Sequence, residues 1–437
     1  MLDIDTSKTA VIHVVRTAEG GMKEHVRYLL RYADKNEFNE TLITYPDEEL
    51  TRWARSNQIR YLEAPILDGL RPLMDAKAIL AVRRHVIGFC KGRAILHAHG
   101  AKAALIARLA RIVNSSPLGT LRSHHKPIIV YTIHGQPLRS HLTPSVRAAI
   151  TFAERVLWRH CDAFIAVSEH IKAKFIQVSG VPDEKVVVIP NGVDIGRFEV
   201  RAEEGVAFRL ESGLDPLADK VIGSVSRFVP EKRLDLVLEA FAHLRRSLEP
   251  TSTRSDAKAH LDARGTPAAT PASTPLTRSY AIRRPKLLLV GDGPLRKSLE
   301  KLAETLGVRQ DVVFTGTRSD VPRTLAAMDV FVLASTEDGA PLALIEAMAA
   351  GKAVVVPNTA SFAEVVKPPH GFLVRPQDPK ALASALARIL NDDSMRERLG
   401  KRARAYAAEH LSALQMTKKT EELYRELLAR RSSLRRW

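Results

Sequence analysis

The sequence holds only two cysteines among 437 residues, Cys90 and Cys161. They stand far apart and in no metal-binding or redox spacing, so the chain reads as a reduced, cytoplasmic protein. No stretch of about 18 apolar residues occurs, which excludes a membrane-spanning helix of ordinary length. A basic-then-apolar leader is also missing, so export is not expected. Aromatic residues make up 5% and do not interleave with Arg, which argues against a nucleic-acid partner. His97 and His99 flank one residue, but no further Cys or His accompanies them in sequence, so no metal is expected. The one D-x-D, Asp3-Ile4-Asp5, sits at the chain terminus and carries no functional reading.

What the chain does have is basic charge. Lys and Arg number 66 against 49 Asp and Glu, a net +17, which points to an anionic partner such as a nucleotide or a phospholipid surface. Strand-length apolar runs alternate with helical patterns almost throughout. They fall at 9–15, 41–45, 59–63, 94–97, 128–133, 163–167 and 186–189. After a pause they resume at 221–225, 287–290, 312–315, 330–334, 353–356 and 372–374. This predicts an α/β chain of two tandem Rossmann-like domains with doubly wound parallel sheets and a cleft between them. Residues 1–195 form the first domain, 196–218 a linker and 219–410 the second domain. Residues 411–437 are a C-terminal helix, expected to pack back on the first domain, and a basic tail ending in Trp437. Residues 249–283 read as a disordered insertion, being rich in Thr, Ser, Ala and Pro. A smaller irregular insert spans 114–126.

The chemistry gathers around residues 337–351, EDGAPLALIEAMAAG. Pro341 fits the first position of a helix, with Ala340 as N-cap, leaving the N–H groups of Leu342 and Ala343 open as a phosphate seat. Glu346 is a lone carboxylate in a helix apolar on nearly every face, so it is buried and needs a partner. That partner is either an Arg of the core or a ligand. Gly20 and Gly21 open the first helix and let a ligand approach the backbone, though they do not make a G-x-G-x-x-G fingerprint. His134, and His97 with His99, stand at carboxyl ends of strands, where such sheets bind ligands. Arg227 and Lys232 bracket a strand-to-helix loop as a diphosphate clamp or as a solvated basic loop. Asp292 and Gly293 lie in a tight loop, VGDGP, placed near the nucleotide or serving the fold alone.

In order, the pieces EGGMKEHV, ILHAHG, YTIHG, AVSEHI, VVVIPNGVD, GSVSRFVPEKRLDLVLEAF, LLLVGDGP and DVFVLASTEDGAPLALIEAMAAG make the chain resemble the retaining glycosyltransferases of the GT-B fold, family 4. The resemblance covers nearly everything but the two inserts and the tail. It implies a nucleoside-diphosphate sugar donor, UDP- or GDP-linked, and a glycan or lipid-linked acceptor, as in cell-surface polysaccharide or glycolipid synthesis. It implies that Arg227 and Lys232 hold the diphosphate, that Asp338 touches the donor sugar and Glu346 the ribose. His134 contacts the donor sugar near the reacting centre, and Gly21 approaches the phosphate or acceptor. Gly339, Ala340, Pro341, Leu342, Ala343, Asp292 and Gly293 complete the donor site. Retention without metal or cofactor follows from the family. The family's usual Glu is Asp338 here, with Glu337 beside it, and the Gly pair before Glu364 is missing.

Lys77, Arg83, Arg84, Lys102, Arg108 and Arg111, on two helices of the first domain, suggest peripheral attachment to an anionic membrane surface on its inner face. A sugar-nucleotide epimerase of the same two-domain layout, or a catalytically weak nucleotide-sugar-binding module, are the alternative readings.

Overall fold

The computed structural model describes residues 7–16, 20–46, 48–67, 69, 71–89, 94–115, 126–135, 143–248, 285–336 and 341–433. The expected insertion, most of the 114–126 insert and the end of the tail lie outside these residues, as does Cys90.

Two parallel sheets form the framework. The first contains β1 (Thr9–Val15), β2 (Phe38–Thr44), β3 (Arg60–Glu63), β4 (Ala94–His99), β5 (Ile128–Ile133), β6 (Ala163–Ala166) and β7 (Val186–Val188), in the order β3-β2-β1-β4-β5-β6-β7. The second contains β8 (Lys220–Val225), β9 (Pro285–Val290), β10 (Val312–Gly316), β11 (Val330–Val332), β12 (Ala353–Pro357) and β13 (Gly371–Val374), in the order β10-β9-β8-β11-β12-β13. Helices cover both faces of each sheet. That is why β1, β4 and β5 are buried along their whole length and read as largely apolar runs. In each sheet the chain reverses direction beside its first strand, between β1 and β4 and between β8 and β11. Such switch points open a crevice at the carboxyl ends of the strands.

The stretch read as a linker carries a helix, Ala202–Glu211, whose Phe208 is buried in the same core cluster as Leu325 and Met328 of the second domain. Its backbone sits close: a Cβ on Gly205 would lie 2.9 Å from the carbonyl of Ala326.

The chain then crosses back. Helix Ala413–Ser433 packs on helix Gly21–Tyr32 of the first domain. Tyr424 Oη lies 2.5 Å from His97 Nδ1, Glu421 accepts from the Asp34 amide at 2.7 Å, and Arg425 pairs with Glu37 at 2.7 Å. The crossing needs Gly192, because a Cβ there would meet the Ser412 carbonyl oxygen at 2.3 Å. Among the described residues, no helix is long and apolar enough to cross a membrane.

A second tie between domains is electrostatic. Helix Glu169–Ser179 of the first domain begins at Ser168, whose hydroxyl accepts from Ile171 N. The two preceding donors, Glu169 N and His170 N, both give 2.8 Å hydrogen bonds to the carboxylate of Glu364 in the second domain. An anion at a helix N-terminus satisfies orphan N–H groups and complements the dipole. Replacing Glu364 by Ala therefore removes an interdomain cap. A loss of about 1–2 kcal/mol is expected in denaturant unfolding, with a larger radius of gyration in solution scattering; an unchanged radius would contradict the tie.

Candidate functional site

Helix Leu342–Ala349 stands at the centre of the cleft. It begins one residue later than the sequence suggests, because Pro341 is extended and serves as the N-cap while Leu342 opens the helix. The physical outcome for the first turn is similar. Leu344 N and Ile345 N bond to the Pro341 carbonyl, and the N–H groups of Leu342 and Ala343 point onward without a partner among the described residues. Across the cleft lies Gly21, where a Cβ would approach Leu342 Cδ1 to 3.4 Å. The acidic pair and its neighbours, Glu337, Asp338, Gly339 and Ala340, lie outside the described residues.

Glu346 is 8% exposed, and its carboxylate makes no hydrogen bond or ion pair among the described residues. Burial raises its pKa from the ordinary 4.5 to about 7, the charge of Glu24 adds to this, and Arg197 opposes it. Arg197 is engaged elsewhere, donating to Glu24 at 3.2 Å. A core Arg partner is therefore not what holds Glu346. Its carboxylate is buried in the wall of the cleft with its acceptor capacity unused among the described residues.

On the facing wall is a cluster of imidazoles: His13 on β1, His25 on helix Gly21–Tyr32, His97 and His99 on β4, and His134 just past β5. His97 turns away from the cleft to Tyr424 and Thr132 (2.5 and 2.6 Å). His99 bonds to both His13 (3.0 Å) and His134 (3.2 Å), and His25 bonds to Asn191 Oδ1 at 2.9 Å. The His25 and His134 rings meet edge to face at 4.6 Å between centroids. Burial holds His97, His99 and His134 well below the usual imidazole range and brings His25 to about 4, so these rings are neutral near pH 7. Nitrogens of His13, His97 and His99 come within 4.8 Å of one another, as do those of His25, His99 and His134.

The basic loop after β8 is braced rather than loose. Phe228 N donates to the Asp292 carbonyl at 2.8 Å, so this loop and the VGDGP loop pack backbone on backbone. Gly291 and Gly293 permit it: a Cβ on Gly291 would sit 1.9 Å from the Ser226 carbonyl oxygen, and one on Gly293 would sit 2.6 Å from that of Phe228. Arg227 is exposed at the cleft end of β8, and Lys232 closes a 3-10 turn, Pro230–Lys232. Asp292 sits beside them, with Gly293 N bonded to its carboxylate at 2.7 Å. Ser335, just past β11, is fully buried, and its hydroxyl has no partner among the described residues; it stands at the switch point and so beside the same crevice. Sequence reading passed over Ser335, His13, His25 and Arg197, because none stands in a recognisable spacing.

The basic residues of the first domain divide. Arg108 is 1% exposed and holds Glu154 through two bonds of 2.7 and 2.9 Å. Lys102 is spent on Asp75 and Arg111 on Asp162, each at 2.5 Å. These three belong to the fold and not to a membrane-facing surface. Lys77 and Arg84 are exposed.

Residues 19–197 match the family model described as Glycosyltransferase Family 4, and residues 276–406 match that of Glycosyl transferases group 1. The chain belongs to the family 4, group 1 glycosyltransferases. It is 25% identical over 336 residues to a UDP-Gal:alpha-D-GlcNAc-diphosphoundecaprenol alpha-1,3-galactosyltransferase of Escherichia coli, covering 76% of each chain. It is 26% identical over 292 residues to a GDP-mannose-dependent alpha-(1-6)-phosphatidylinositol monomannoside mannosyltransferase of Mycolicibacterium smegmatis, covering 64% of this chain and 66% of that one. The GT-B fold of this glycosyltransferase is shared with Anabaena HepE in complex with UDP and glucose: TM-score 0.73, 18% identity, 96% of this chain and 100% of that one. WaaG, a glycosyltransferase involved in lipopolysaccharide biosynthesis, aligns at a TM-score of 0.66 and 17% identity over 95% of this chain and 99% of that one.

Proposed function

We propose that this glycosyltransferase moves a hexosyl group, with retention, from a UDP- or GDP-sugar to a lipid-linked or glycan acceptor in cell-surface polysaccharide or glycolipid synthesis. The observation that carries the reading is Glu346, a buried carboxylate in the wall of the cleft without a partner among the described residues. A ribose diol supplies the hydroxyl donors that it lacks. Arg227, Lys232 and the open amides of Leu342 and Ala343 stabilise charge developing on the leaving diphosphate, which is electrostatic preorganisation in a site shielded from water. Those cations and amides replace a divalent metal in this reading. His134 meets the sugar from the opposite wall, and the acceptor enters along the first domain beside Gly21. Asp338, or Glu337 beside it, fills the first acidic position.

Attachment to an anionic membrane rests on one helix face. Leu73 (82% exposed) and Leu80 (56% exposed) alternate with Lys77 and Arg84 along helix Pro72–Phe89, one stripe by spacing. The UDP- and GDP-linked donors of the two relatives, and their polyprenyl- and inositol-lipid acceptors, support the donor and acceptor classes.

The test is transfer to a polyprenyl-diphosphate sugar held in vesicles, with UDP- and GDP-hexoses and with EDTA present. Acceptor-dependent nucleotide release is expected, faster on phosphatidylglycerol than on phosphatidylcholine vesicles, and the product keeps the donor's anomeric coupling constant. Inverted product, or donor turnover that ignores the acceptor as in an epimerase, would overturn the reading.

A further inference from the structure

Four neighbouring strands of the first sheet each place one polar residue on a diagonal. Val11 of β1 lies opposite Glu40 of β2, and His13 stands two residues beyond Val11. His13 lies opposite His97 of β4, and His99 stands two residues beyond it. His99 lies opposite Thr132 of β5, and His134 stands two residues beyond that. A step of two keeps the side chains on one face. The staircase thus climbs from Glu40 to the carboxyl edge of the sheet, where the cleft begins.

The side chains join along it. Glu40 Oε2 lies 2.7 Å from His13 Nε2, His13 Nδ1 lies 3.0 Å from His99 Nε2, and His99 Nδ1 lies 3.2 Å from His134 Nε2. The Glu40 side chain is 6% exposed. With one proton on each ring, a carboxylate that can only accept fixes the direction of every bond above it. His13 donates from Nε2 and accepts at Nδ1. His99 then donates from Nε2 and accepts at Nδ1. His134 donates from Nε2, and its Nδ1 is left as a lone pair with no partner among the described residues. The other partners in the cluster cannot impose such a direction: Thr132 and Tyr424 are hydroxyls that both donate and accept, and Asn191 is an amide that does the same.

We propose that Glu40, His13 and His99 are positioning residues that lock His134 as its Nε2–H tautomer, so that its bare Nδ1 accepts from a hydroxyl of the transferred sugar and rejects phosphate oxygen. The sugar's identity as a nucleotide-linked hexose rests on the proposed function; the locked tautomer does not. A metal is the competing use of these rings. Yet all six nitrogens of His13, His97 and His99 already have hydrogen-bond partners. A neutral state of His99 and His134 agrees with the chain, since burial holds both well below the usual imidazole range.

Long-range ¹H–¹⁵N spectra of the histidine rings, recorded on the whole chain, test it without any variant. His134 is expected as the pure Nε2–H tautomer. Glu40→Gln, whose amide both donates and accepts, should give mixed tautomers at His13, His99 and His134. Thr132→Val, which removes a side-chain bond to His97 and none in the Glu40-to-His134 chain, should leave them unchanged. In calorimetry, Glu40→Gln should weaken UDP-glucose, UDP-galactose or GDP-mannose, whichever the wild type binds, by about tenfold, with UDP or GDP alone unaffected. An Nδ1–H tautomer at His134 in the wild type overturns the proposal. So does a pure tautomer retained in Glu40→Gln, equal weakening of nucleotide and nucleotide sugar, or stoichiometric Zn²⁺ that shifts the His13 and His99 signals. If no nucleotide sugar binds the wild type, the proposed function fails, and the spectra still decide the chain.

Discussion

Replacing Glu346 by Gln is expected to weaken donor binding about 10- to 100-fold while making the free protein more stable at pH 8. The first effect follows from losing a charged acceptor for donor hydroxyls. The second follows from burial. A carboxyl whose pKa rises from 4.5 to about 7 holds its proton better in the folded chain than in the unfolded one. Its contribution is favourable below the unfolded value and is lost as pH climbs through the folded value. Above pH 7 the ionised group therefore carries a cost on the order of 3 kcal/mol relative to acid pH. Gln keeps the shape and removes the ionisation. Thermal melts of the two proteins should coincide in rank near pH 4.5 and diverge toward pH 8, with Glu346→Gln higher by a few degrees. A variant that is less stable at pH 8 would mean that the carboxylate is a structural partner, and the ligand reading of the cleft would fall with it.

The second large effect is on folding alone. Arg108→Met leaves Glu154 buried without its two bonds, and a loss of about 3–5 kcal/mol is expected in chemical denaturation. Adding Glu154→Leu should restore most of that loss, because an apolar pair of similar volume avoids the desolvation of both charges. The single variant should not change the affinity of whatever lipid surface the protein meets. A loss below about 1 kcal/mol would place the pair with ordinary surface ion pairs.

That prediction also marks where sequence reading stopped. Arg108 and Lys77 look alike in sequence, since both sit on helices with polar and apolar residues mixed. Only the bonds from Arg108 on helix Ala101–Ser115 to Glu154 on helix Pro144–Leu157 tell the buried guanidinium from the exposed ammonium. The strands were legible because parallel strands covered on both faces are predominantly apolar, as in β1 and β5. The helix Ala202–Glu211 was hidden because Val206 and Leu210 face solvent and only Phe208 and Gly205 are buried, too few to make a periodic signal. Pro341 misled by one residue, since proline suits both the cap and the first turn.

In the candidate site, residues that break a local sequence pattern were visible: Gly21, Glu346 and the Arg227–Lys232 loop. The residues that act through register were not. Glu40 precedes the strand read at 41–45, and His13 is a lone polar residue in an apolar run. Their meaning appears only when β2, β1, β4 and β5 are laid side by side.

The most direct test of the account is saturation-transfer NMR of the wild type and Glu346→Gln against UDP-, GDP- and ADP-sugars. The account predicts that one nucleotide sugar gives strong transfer to its ribose and hexose protons in the wild type, with the ribose signals fading in Glu346→Gln. Transfer that is equal in both proteins, or absent for every nucleotide sugar, would contradict it.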